Sequence, residues 1–90
     1  MSLSQTLEIK NQRGLHARAA AKFVKTAAEY DCTNIKVTKG GQEVCGNSIM
    51  GLLMLAASIG TSIEVTTQGP KEEQALSAIA QLVNDKFGED

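Results

Sequence analysis

Tryptophan is absent and aromatic residues are scarce: Phe23, Tyr30 and Phe87 are the whole supply in ninety residues. A core must therefore be assembled from aliphatic side chains and alanine, and a chain of this length supports one such core, hence one domain, 1–90. An excess of positive charge is missing as well. Nine Lys and Arg stand against ten Asp and Glu, for a formal net charge of −1. That argues against a nucleic-acid binder, which draws affinity from basic side chains neutralising phosphates. No apolar run approaches a membrane span, and no basic segment followed by a signal-type apolar stretch opens the chain. Cysteine is limited to Cys32 and Cys45, and histidine to His16. That set, in no ligand spacing, makes a poor zinc site, so neither a metal nor a cofactor is expected. The two cysteines read as small buried apolar residues of a reduced protein, with a disulfide left open and the cytoplasm as the expected location.

What is there is patterned. Thr6-Leu7-Glu8-Ile9-Lys10 alternates polar and apolar residues, as a strand with one buried face does. Asn11 to Gly14 supplies a loop, and from Ala17 the period becomes helical. Ala20, Val24 and Ala27 form one face there, flanked by Ala21, Phe23 and Ala28, while Lys22, Lys25 and Glu29 point outward. Ile35–Lys39 alternates again, and Gly40-Gly41 before Gln42–Cys45 is a two-residue hairpin signal, because both turn residues can take positive φ. Ser48 is placed to cap a short helix whose residues 49 to 57 are apolar nearly all round. Ile63–Thr67 forms a fourth strand. Gly69-Pro70 then introduces a last helix with Leu76, Ile79, Leu82 and Val83 as its stripe, Ala75 and Phe87 extending it, and Glu72 and Glu73 at its positive end. The order β-α-β-β-α-β-α favours an α+β fold with a four-stranded sheet and three helices on one face.

Two stretches carry chemistry. Gly14-Leu15-His16-Ala17-Arg18 places the sole histidine at a helix start, where unpaired N–H groups and the positive end of the peptide dipoles attract anions. A neutral imidazole there, with the Arg18 guanidinium in reach, suits a phosphoryl group, and the backbone N–H groups of Ala17 and Arg18 are the expected cradle. The plainer account is a surface histidine at a loop–helix junction. In the second stretch a helix apolar on all sides cannot be wholly enclosed by so small a domain, so some of Ile49, Met50 and Leu53 are expected at the surface as a docking patch, against the alternative that all are core. Ser48 needs no role beyond capping.

Gly14-Leu15-His16-Ala17-Arg18 opening a helix, Asn47-Ser48-Ile49-Met50-Gly51-Leu52-Leu53-Met54-Leu55 about thirty residues on, and a final helix after Gly69-Pro70 together resemble HPr, the histidine phosphocarrier family of the phosphoenolpyruvate-dependent phosphotransferase system. The stretch from Gly69 to Leu76 also resembles the nitrogen-related branch of that family. The resemblance implies an open-faced β-sandwich and a carrier rather than an enzyme. His16 would accept a phosphoryl group on Nδ1 from phosphorylated enzyme I and pass it to a IIA-type protein, with Arg18 stabilising the phosphate. Ser48 matches the serine that an ATP-dependent kinase phosphorylates in many members, which implies a serine kinase/phosphorylase as a further partner. Ile49, Met50 and Leu53 match the partner-docking patch. No membrane insertion is implied, and a monomer is expected. Ala19 departs from the family, whose members usually have proline there; alanine leaves the junction less pre-set but is a strong helix former. The other readings are a regulatory docking protein whose partner choice is set by phosphorylation at His16 or Ser48, and an RNA-binding α+β module. The acidic balance and the lack of paired strand aromatics oppose the last.

Overall fold

The computed structural model describes residues 2–30 and 33–89; Asp31 and Cys32, and with them the expectation of a buried Cys32, lie outside the described residues. The elements run β1 (Ser2–Glu8), α1 (Ala17–Ala28), β2 (Asn34–Lys39), β3 (Gln42–Cys45), α2 (Ile49–Met54), β4 (Ser62–Gln68) and α3 (Glu72–Asn84), followed by a 3-10 turn at Lys86–Gly88. One antiparallel sheet has the strand order β1-β4-β2-β3, so β4 and β2 are central. Residues directly opposite each other share a face. Leu7 therefore lies with Ile63, Val65 with Val37, and Val37 with Val44 on the side the helices cover. The uncovered side carries Ser4, Thr6, Glu64, Thr66, Lys36, Thr38 and Glu43, with Ser4 and Thr66 hydroxyls 2.9 Å apart. This is the open-faced sandwich read from the sequence.

The aliphatic core closes on the only two phenylalanines. Phe23 of α1 and Phe87 of the 3-10 turn are both fully buried, with Ile9, Ile35, Leu52, Ile63 and Ile79 around them. Gly40 and Gly41 both take positive φ (58° and 83°) between Lys39 and Gln42, as the hairpin signal requires. Ser48 caps α2, its Oγ accepting from the Gly51 N–H at 3.0 Å.

Several expectations need correcting. The first strand starts at Ser2 and ends at Glu8, because Leu3 and Leu7 sit two alternations apart while Gln5 between them stays exposed on an edge strand. Ile9 is buried beyond the strand, exchanging backbone hydrogen bonds with Thr61 and Gly60. The buried face of α1 is Ala19, Ala20, Phe23 and Ala27. Ala21 and Ala28 are exposed and Val24 is half-buried, since each stands one residue, about 100° around the helix, beyond the stripe of Ala20, Phe23 and Ala27. α2 stops at Met54 because Ala56 takes φ 51°. Pro70 lies ahead of α3, not in its first turn, and Phe87 reaches the core through its own turn and not along the helix. Leu82 is half-buried. Cys45 is exposed and free, because β3 alternation puts it with Glu43 on the uncovered side.

Candidate functional site

His16 is the N-cap of α1, with extended backbone (φ −85°, ψ −177°). Local sequence fixes it there. Gly14 holds φ +66°, and a Cβ on it would stand 2.4 Å from the Ala57 carbonyl oxygen, so the loop can press against the segment after α2 only with glycine at this point. The Leu15 N–H then donates to that same carbonyl at 2.8 Å, which buries Leu15 and turns His16 to the surface. The Ala20 N–H donates to the His16 carbonyl at 2.8 Å and starts the helix.

Both ring nitrogens have partners. Nδ1 faces the Arg18 backbone N–H at 3.3 Å, and Nε2 contacts the Glu89 carboxylate. The ring remains 23% exposed. Glu89 is held on its other oxygen by Asn11, whose Nδ2 donates to Oε1 at 2.9 Å and to the Gly14 carbonyl at 2.7 Å. Both neighbours of that amide are acceptors, which sets its NH2 towards them. Burial pushes the Glu89 carboxyl up. Hydrogen bonds from Asn11 and His16 and the charges of His16 and Lys22 outweigh burial, and the net direction is down.

A cleft of about 500 Å³ adjoins these groups, lined by Gln12, Arg13, Arg18, Lys22, Gly88 and Glu89. Three cations against one carboxylate make it a place for an anion. Lys22 also donates to the Phe87 carbonyl at 2.6 Å, tying α1 to the turn after α3. Among the described residues no cluster of His, Cys, Asp or Glu is arranged to hold a metal ion, and no helix is long and apolar enough to cross a membrane.

The residues singled out from the sequence thus fall in two groups. His16, Ala17 and Arg18 are together at the start of α1, with the side chains of Ala17 and Arg18 exposed. Ser48, Ile49, Met50 and Leu53 belong to α2, which packs against α1. Ile49 and Met50 are exposed, at 40% and 69%, and Met54 and Ile59 join them at 66% and 52%. Leu53 is half-buried against the core. Glu89, Asn11, Arg13 and Lys22 are site residues that sequence reasoning missed. Lys86-Phe87-Gly88 held the available signal, because an aromatic beyond a helix stop has to dock and carries the next residue with it.

The family model described as the PTS HPr component phosphorylation site matches residues 3–85. The phosphocarrier protein HPr of Neisseria meningitidis is 49% identical over 87 residues, 97% of each chain. The phosphocarrier protein NPr of Escherichia coli is 41% identical over 90 residues, covering 100% of both. The crystal structure of HPr-C-His from Thermoanaerobacter tengcongensis superposes with a TM-score of 0.93 at 42% identity and 98% coverage of both chains.

Proposed function

The chain belongs to the HPr family of phosphotransferase-system phosphocarriers, and on that premise we propose that it carries a phosphoryl group on His16 Nδ1 between enzyme I and a IIA-type protein. The observation that supports this most directly is His16 at the N-cap of α1, with Nδ1 facing the Arg18 backbone N–H beside a cleft lined by Arg13, Arg18 and Lys22.

In the forward step the Nδ1 lone pair attacks the phosphorus of the phosphohistidine on enzyme I. The P–N bond there breaks and its electron pair returns to the donor ring. The transferred group carries negative charge, which the N–H groups of Ala17 and Arg18 and the Arg18 guanidinium balance. The partly exposed ring leaves a face open for the next acceptor, and the same exchange runs in reverse on a histidine of the IIA-type protein. Ile49 and Met50, with Met54 beside them, offer the apolar ground on which both partners dock in turn; methionine suits a surface that accepts more than one partner.

Incubation with phosphoenolpyruvate and active enzyme I should give an acid-labile, base-stable mass gain that disappears in His16→Ala. No adduct on the unaltered protein would defeat the carrier reading. A second role, regulation by docking, is favoured by one observation: Ser48 sits half-buried directly before exposed Ile49 and Met50, so phosphate there would put charge into a surface built to exclude water.

A further inference from the structure

Glu89 has no part in the relay, yet both of its carboxylate oxygens have side-chain partners. The strap that delivers it turns through left-handed backbone at Lys86 and Phe87 (φ 58° and 54°). It is anchored by the fully buried Phe87 ring and by Lys22 on the Phe87 carbonyl. Asn11 then fixes one carboxylate oxygen and His16 takes the other. A side chain aimed this way acts on the ring it touches.

A neutral imidazole has one donor nitrogen and one acceptor nitrogen. An ionised carboxylate only accepts, so Nε2 must be the donor. A backbone N–H only donates, so Nδ1 must be the acceptor. The two contacts on opposite sides of the ring select the same tautomer, the one with Nδ1 unprotonated.

We propose that Glu89 is the positioning residue of the phosphoacceptor, its carboxylate holding the imidazole proton on Nε2 before, during and after transfer. The proposal rests on His16 being the site of phosphorylation. Its consequence is a closed proton account. When Nδ1 bonds to phosphorus, the ring keeps its Nε2 proton and carries a formal positive charge, which the carboxylate faces. When the P–N bond breaks, the electron pair returns to Nδ1 and the same neutral tautomer is restored. No proton has to enter or leave in either direction, and a protonated ring is the better leaving group. Among the described residues, the other charged side chains lining the adjoining cleft are Arg18 and Lys22 of α1 and Arg13 of the loop. α2, Ile-Met-Gly-Leu-Leu-Met, contributes none.

The test compares unaltered protein with Glu89→Ala and Glu89→Gln, substitutions that leave Phe87 and Lys22 in place. Imidazole ¹⁵N shifts of unphosphorylated His16 should report the Nε2–H tautomer in the unaltered protein and a mixture in Glu89→Ala. In Glu89→Gln a single amide oxygen is contested by the Asn11 NH2 and the ring N–H, so the Nε2–H preference should weaken, less than in Glu89→Ala. Once phosphorylated, both variants should hydrolyse at about pH 8 roughly tenfold more slowly than the unaltered protein, the worth of one charge-assisted hydrogen bond. A Glu89→Ala protein with an unshifted tautomer ratio, or variants whose hydrolysis profiles superimpose on that of the unaltered protein, would overturn the proposal. Failure of the unaltered protein to accept phosphate is a different result: it removes the carrier reading, while the ¹⁵N shifts still judge Glu89.

Discussion

At the scale of single residues, Glu89 also links the site to stability. Burial raises its carboxyl, but Asn11, His16 and Lys22 together hold it below the ordinary value of 4.5. A carboxyl lowered by folding contributes stability that is full above its unfolded value and is lost as pH falls through its folded value. Glu89→Gln should therefore be less stable than the unaltered protein at neutral pH, and the difference should shrink as pH falls below 4.5 and vanish once it is under the lowered folded value. Urea unfolding of both proteins over a pH series measures it. His16 and Arg18 were legible as residues because their chemistry sits inside one contiguous stretch. Glu89 was not, since it meets His16 only after a left-handed turn brings in a segment 73 positions away, and no local period records that meeting; Asn11 joins the site through its hydrogen bond to Glu89.

At the scale of elements, α2 separates capping from docking. Ser48→Ala removes the acceptor of the Gly51 N–H and should cost about 1 kcal/mol. Aspartate caps as well as serine does, so Ser48→Asp should melt near the unaltered protein while binding enzyme I more weakly, because it places charge beside Ile49 and Met50. Thermal melts together with a binding titration test the pair; equal loss of stability in both variants would contradict this division of roles. The cap and the Gly40-Gly41 hairpin were readable because each depends on residues within a few positions of one another. The end of α2 was not. Leu55 and Ala57 are apolar and buried, so the pattern runs on past the point where Ala56 leaves the helix.

At the scale of the whole molecule, the core and the site are assembled together through Phe87, a fully buried side chain two residues from the carboxylate on His16. Phe87→Ala should cost about 3–5 kcal/mol, a large share of the roughly 5–15 kcal/mol available to a small domain. It should also release the strap, so that the denaturation midpoint and the His16 ¹⁵N shifts change together. The fold class was legible from the alternation of strand and helix periods. Sheet order was not part of that reading, because a pattern marks which face of a strand is buried and not which strand lies beside it. In this sheet β1 pairs with β4 alone, Ser2 opposite Gln68 and Glu8 opposite Ser62. On the ribosome, at about 5–20 residues per second, β1 therefore emerges seconds before its only neighbour exists. A strand kept waiting is a template for the wrong partner, but Ser-Leu-Ser-Gln-Thr-Leu-Glu has just two apolar side chains and makes a poor seed for aggregation. The polarity that hid the start of β1 from a reading of periodicity is what lets a nascent chain expose it safely.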